Sequence, residues 1–250
     1  MQALYRMGLR IQGNTEWNWM LRARSDAQLS ALAEAGRRLG HLDRMVNSAE
    51  RAKTNLDFAQ RFPMPFINES RPVAEKLQLD PNWVYGLIRQ ESRFIADVRS
   101  GVGAKGLMQV MPATGAWMAK RIDYPNYTTE RLNDPVVNLA IGQHYLATVL
   151  TELDNSPILA TAAYNAGPGR SRTWRAALSR PLEGAIFAET IPFNETRGYV
   201  KNVFANAVIY AAVYASVNGS NATGGKPSRT LTQWLGTVVP KSAATTSDTP

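Results

Sequence analysis

The sequence predicts an all-α protein. Apolar residues recur every three or four positions along most of the chain, and Asp-Pro or Ser-Pro pairs stand where helices would begin. The period-two alternation of strands is missing outside short loops. Taken in order, Ser25 or Asp26 caps a helix carrying Leu29, Leu32 and Ala33, and the next helix carries Leu42, Met45, Val46 and Ala49 at helical spacing. Single glycines, Gly36 and Gly40, separate these pieces. Residues 1–66 are therefore expected to form helical hairpins like the last units of an α-superhelix, closed by a linker that Pro63 and Pro65 keep from being helical. Asp80-Pro81, Asp134-Pro135 and Ser156-Pro157 each set a capping residue before a proline at the first helical position. The first opens a helix from Asn82 to about Phe94. The second opens one with Val136, Leu139, Ala140, Leu146, Val149 and Leu150 on a broad apolar face. The third runs to Gly167, a natural left-handed cap, with Pro168 blocking continuation. Another helix follows Asn194 and carries Val200, Val203, Phe204, Ala207, Tyr210 and Ala211. Residues 217–250, rich in Gly, Ser and Asn apart from a brief apolar piece at Leu231 to Val239, are expected to be a flexible extension.

Composition narrows the chemistry. The chain has 250 residues, enough for one or two domains with a real core, and a net charge of +8. It has no cysteine and only two histidines, His41 and His144, which excludes disulfides, thiolate metal sites and a multi-histidine centre. No acidic loop has calcium-binding spacing, so no metal or cofactor is expected. No uninterrupted apolar run approaches the ~20 residues of a membrane span. The basic residues (Arg22, Arg24, Arg37, Arg38, Arg44, Arg51, Lys53) are scattered rather than clustered, so nucleic acid is not an expected partner. The charge suits a different polyanion, an anionic lipid or an acidic cell-wall polymer.

One acid stands out. On the helix that begins near Asn82, Val84, Leu87, Ile88 and Ile95 mark an apolar stripe, and Glu91 falls on it, three residues after Ile88 and four after Leu87. Either Glu91 is held in a buried ion pair, for instance with Arg89 or Arg93, or the stripe is narrower than these positions suggest, or it is a carboxylic acid whose pKa an apolar wall raises toward neutrality. A two-unit rise costs roughly 2.7 kcal/mol at neutral pH. The following loop carries Gly101, Gly103 and Gly106 ahead of Leu107-Met108-Gln109, which lets backbone approach a ligand closely. The loop is formally a GxGxxG, but it follows a helix instead of a strand, so a dinucleotide site is not expected. Tyr164 and Asn165, at a helix mouth, combine an aromatic face with an amide, a pairing that suits a sugar. Glu195, in the first turn of its helix, is by itself a favourable dipole partner.

Glu91-Ser92, Gly106-Leu107-Met108-Gln109, Ala163-Tyr164-Asn165-Ala166-Gly167 and the segment Glu195 to Tyr199, in this order, resemble the catalytic domain of the soluble-type lytic transglycosylases, glycoside hydrolase family 23, related to goose-type lysozyme. The resemblance covers residues 67–215. It implies a lysozyme-like helical catalytic domain over 67–216, and the hairpins before it are similar in kind to the superhelical region of larger members. It also implies cleavage, without water, of the β-1,4 bond between N-acetylmuramic acid and N-acetylglucosamine in peptidoglycan glycan strands, leaving 1,6-anhydro-muramyl ends. Glu91 is then the acid and afterwards the base. Ser100, Gln109, Met111, Tyr164, Asn165 and Glu195 line the glycan or steady the reacting sugar, with Tyr199 a further candidate. The nearest acids after Glu91 in sequence are Asp97 and Asp123, so the glycine loop offers no second carboxylate of the kind most glycosidases use. Glu195 can still return through the fold, which keeps lysozyme-like hydrolysis as the alternative. A non-catalytic glycan-binding scaffold is the other. The substrate implies the periplasm. The opening residues Met1 to Arg6 lack the pattern of a secretory signal, so the expected resolution is a mature portion of a longer precursor.

Overall fold

The computed structural model describes residues 1–218 and 229–241. Helices dominate it, as expected. The first five are α1 (Gln2–Arg6), α2 (Arg10–Met20), α3 (Asp26–Arg38), α4 (Leu42–Ala49) and α5 (Phe58–Arg61). Ser25 caps α3 in a full capping box with Gln28. Trp17, Leu21, Leu29 and Ala52 form a small core of their own, and Ala33, Met45 and Ala49 pack beside it. The α3–α4 crossing is tight because Gly36 lies against backbone: a Cβ there would stand 2.8 Å from the Met45 nitrogen.

The segment read as a linker is bound into the body. Phe62 is buried, with the Arg89 guanidinium 4.3 Å from its ring centroid and Tyr210 edge-on to it. The Pro63 and Pro65 carbonyls accept from the hydroxyls of Tyr210 and Tyr85, at 3.1 and 2.6 Å. The prolines do prevent helix here, and their carbonyls, left without helical partners, are satisfied by these tyrosines.

Beyond it lie α6 (Ile67–Lys76), α7 (Pro81–Ser92), α8 (Pro112–Arg121), a 3₁₀ helix (Thr129–Asn133), α9 (Pro135–Glu152), α10 (Pro157–Ala166), α11 (Pro168–Ala176), the two-residue strand β1 (Leu182–Glu183), α12 (Gly184–Thr190) and α13 (Asn194–Asn218). Asp80 and Asp134 cap α7 and α9 through their side chains, whereas Ser156 makes no side-chain cap on α10. α7 ends at Ser92 rather than Phe94: Arg93 and Phe94 both take positive φ, which turns the Phe94 ring into the core. Pro168 opens α11 instead of ending structure, because Gly167 (φ +89°) reverses the chain and proline is at home in a first turn.

The body is organised around α7 lying along α13. Gly86 permits their approach, since a Cβ there would stand 2.5 Å from the Val203 carbonyl oxygen. Within residues 194–217 an 18-residue window reaches a mean hydropathy of 1.3, long and apolar enough for a membrane span by composition, although interspersed polar residues hide this from a search for unbroken apolar runs. Val200, Val203, Phe204, Ala207 and Tyr210 of this helix are buried in the protein core.

The expected flexible extension needs correction over its middle. Residues 229–241 contain α14 (Leu231–Leu235), capped by Thr230, and β2 (Thr237–Val238), which pairs antiparallel with β1. Trp234 is buried against the rings of Trp83 and Phe204, and Arg175 donates to the Val239 carbonyl at 2.8 Å. The apolar piece Leu231 to Val239 is thus a strap whose tryptophan supplies the burial that orders it. The rest of that extension, 219–228 and 242–250, lies outside the described residues.

Candidate active site

Glu91 sits in the last turn of α7, half-buried, where the apolar stripe of that helix meets α10 and α13. Its Oε1 accepts a 2.6 Å hydrogen bond from the Tyr199 hydroxyl, from the second turn of α13. Burial lifts its carboxyl pKa to about 7; the negative charge of Glu195 adds to the rise, while the Tyr199 hydrogen bond, which favours the carboxylate, holds it down. Burial likewise raises the phenols of Tyr199 and Tyr164 well above the ordinary value, with the Glu91 charge contributing to both. Both phenols therefore stay neutral hydrogen-bond donors.

The partners of Arg89 and Arg93 and the burial of Glu91 separate the open readings. Arg89 and Arg93 both turn to Glu50, at 2.6 and 3.0 Å, one guanidinium on each carboxylate oxygen. Residues two apart on a helix point to nearly opposite sides, so neither arginine shares the face of Glu91. Among the described residues the carboxyl has no cation partner, and burial sets its pKa at about 7.

The glycine loop folds as a small hairpin of bridges, Arg99 to Lys105 and Lys105 to Val110, not as the strand–turn–helix of a dinucleotide site. The Ser100 hydroxyl accepts from the Ala104 amide at 3.0 Å, and the Gln109 amide donates to the carbonyls of Gly106 (2.8 Å) and Val98 (3.2 Å). Both residues therefore brace the loop. Met111 stands at the head of α8, 40% exposed. Gly106 has φ +74° and no room for a side chain against Asn138 and the Leu132 carbonyl.

Tyr164, in the last turn of α10, donates to the Met108 carbonyl at 2.9 Å, tying the loop to the wall around Glu91. Asn165 accepts from the buried Thr196 hydroxyl at 2.7 Å, which clamps the end of α10 to the start of α13. Glu195 is exposed in the first turn of α13, close enough for its charge to act on Glu91. Glu91, Tyr164, Glu195 and Tyr199 are thus brought together. Asn165 joins the elements that carry them through its bond with Thr196, while Ser100, Gln109 and Met111 belong to the loop side.

Three contributors were missed from sequence. Asn138, fully buried on α9, accepts from the Met108 amide and donates to the Lys105 and Leu132 carbonyls, each at 2.8 Å. Its place as a polar residue on an apolar face is the same signal that marks Glu91. Thr196 is the second. Tyr145, its ring 5.3 Å from that of Tyr164, is the third. Among the described residues no three His, Asp or Glu side chains gather as a metal-ion site.

Comparison with known proteins agrees with this fold. The family model described as the transglycosylase SLT domain matches residues 70–183, and the soluble lytic transglycosylase helical domain matches 190–218. The soluble lytic murein transglycosylase of Escherichia coli is 35% identical over 210 residues, 84% of this chain and 32% of the relative. Among solved structures, an inactive glutamate-to-glutamine mutant of the lytic transglycosylase Slt from Pseudomonas aeruginosa superposes with a TM-score of 0.77 at 36% identity, covering 86% of this chain and 35% of that one. The 70 kDa soluble lytic transglycosylase from Escherichia coli gives 0.75 at 33% identity, covering 84% and 34%. The chain spans about a third of the length of these relatives. With the four motifs, the helical architecture and these matches in agreement, residues 70–183 of the chain belong to the transglycosylase SLT domain family.

Proposed function

We propose that this protein cleaves the β-1,4 bond between N-acetylmuramic acid and N-acetylglucosamine in peptidoglycan by intramolecular transglycosylation, with Glu91 as acid and then base. The observation that carries the reading is a carboxyl with a pKa of about 7, held by the Tyr199 hydroxyl at 2.6 Å and without a cation partner among the described residues. Glu91 gives its proton to the glycosidic oxygen as the bond to the muramyl C1 breaks. The resulting carboxylate, steadied by the Tyr199 hydroxyl, takes the proton of the C6 hydroxyl as that oxygen bonds to C1. The proton is back on Glu91 at the end, and no water is consumed. Tyr164, Asn165, Ser100, Gln109 and Met111 would line the glycan, and the Glu195 charge would favour positive character developing at C1.

Hydrolysis on the same fold has one observation in its favour: Glu195, remote in sequence, returns close enough to act on Glu91 electrostatically. Mass analysis of muropeptides released from purified sacculi separates the two. The anhydro product is lighter than the hydrolysed one by about 18 Da, one water, and exclusively reducing ends would overturn the transglycosylase reading. The reading places the enzyme in the periplasm, divides the chain into hairpins (1–66) and a catalytic body (67–216), and uses the net charge of +8 for salt-sensitive attraction to acidic stem peptides.

A further inference from the structure

We propose that Trp117 is a stacking platform for a sugar residue of the glycan strand beyond the pair flanking the scissile bond. The inference rests on the glycan-cleaving reading above and extends it to a residue that neither the motifs nor the acid chemistry uses. Three rings follow one another in contact, beginning beside Glu91. Tyr164 lies against the acid electrostatically, the Tyr145 ring is 5.3 Å from Tyr164 and tilted by 56°, and the Trp117 ring is 6.4 Å from Tyr145 and nearly perpendicular to it. The row passes from buried to open: Trp117 on α8 is 47% exposed, whereas Trp17, Trp83 and Trp234 are fully buried. Trp19 is also exposed, but it belongs to α2, in the N-terminal hairpins.

An indole left in water forgoes the burial that tryptophan ordinarily gains. Here the edge-on contact with Tyr145 fixes the angle of the ring without stacking on it. A pyranose presents a face of C–H bonds that packs on such a surface while its hydroxyls stay wet. Successive sugars of an extended β-1,4 strand repeat on about the same spacing as these rings, so a strand bound at Glu91 and running along Tyr164 and Tyr145 reaches Trp117. Arg121, one turn further along α8, holds its guanidinium over the Trp117 ring, 5.6 Å from the centroid, and sets a cation at the platform. That suits a polymer whose stem peptides end in carboxylates.

The test uses β-1,4-linked N-acetylglucosamine oligomers of two to six sugars, titrated calorimetrically into the full chain carrying Glu91→Gln, with and without Trp117→Ala or Trp117→Phe. Affinity is expected to climb with oligomer length in the parent. Trp117→Ala should remove about tenfold from the longest oligomer and under twofold from the shortest, and Trp117→Phe should recover most of the loss. Kinetically, Trp117→Ala in the otherwise wild-type chain should raise KM for long glycan strands far more than it lowers kcat. Equal losses at every length, or none, overturn the platform. Failure of the parent reading shows separately, as absence of anhydro-muramyl products from the wild-type protein.

Discussion

The Tyr199 hydroxyl and the Glu91 carboxylate meet at 2.6 Å across 108 residues of chain, joining the last turn of α7 to the second turn of α13. The hydrogen bond opposes the effect of burial: burial favours the acid, and the phenol favours its conjugate base. Glu91 consequently titrates near 7 and can serve in both directions of proton transfer. Tyr199→Phe removes only the opposing influence. The Glu91 pKa should move up and carry the alkaline limb of the pH–activity profile to higher pH, while kcat falls by about tenfold through loss of one charge-assisted bond. A profile that keeps its alkaline limb in place would contradict this role.

Glu91→Gln should abolish turnover, by at least about 10²-fold, and leave glycan binding in place. It should also alter stability in a pH-dependent way. The folded-state pKa of about 7 exceeds the unfolded value of 4.5, so the folded protein binds the extra proton between them. The contribution of Glu91 is fully present below 4.5 and is lost as pH rises through about 7, a change of about 3 kcal/mol. At pH 8 the glutamine variant is expected to be more stable than wild type by up to that amount, and the advantage should vanish near pH 4. Denaturant melts at the two pH values measure it.

Glu50 holds Arg89 and Arg93 together, and Arg89 is 8% exposed, with further bonds to the Arg61 carbonyl and to Asn206. Glu50→Ala leaves a buried guanidinium short of its counter-ion. Because Glu50 is itself a third exposed, the expected cost is below that of a fully buried pair, about 2 kcal/mol, read from urea unfolding. A loss within error of zero would show that Arg89 is satisfied by its carbonyl and amide partners alone.

Gly86→Ala places a methyl group 2.5 Å from the Val203 carbonyl oxygen, a backbone atom that cannot swing aside. The helices that carry Glu91 and Tyr199 must then separate. A destabilisation of about 3 kcal/mol is expected, and the 2.6 Å contact between those two side chains should lengthen, so activity falls even in the folded fraction. Thermal unfolding and specific activity per folded molecule report the two effects separately.

The sequence by itself determined the helices, because periodicity and capping are local: Ser25, Asp80 and Asp134 cap the helices their positions predicted. It also singled out Glu91, since a carboxylate on an apolar stripe is visible at a spacing of three and four residues. Only the tertiary structure decided what surrounds that acid. The diversion of Arg89 and Arg93 to Glu50, the return of Glu195 and Tyr199, and the anchoring of the glycine loop by Asn138 all join residues distant along the chain. The strap around Trp234 was misread for the same reason: a short apolar piece among Gly, Ser and Asn residues is ordered only by the Trp83 and Phe204 rings that receive it. Local pattern reports what a segment can bury, and the fold supplies the partner against which it is buried.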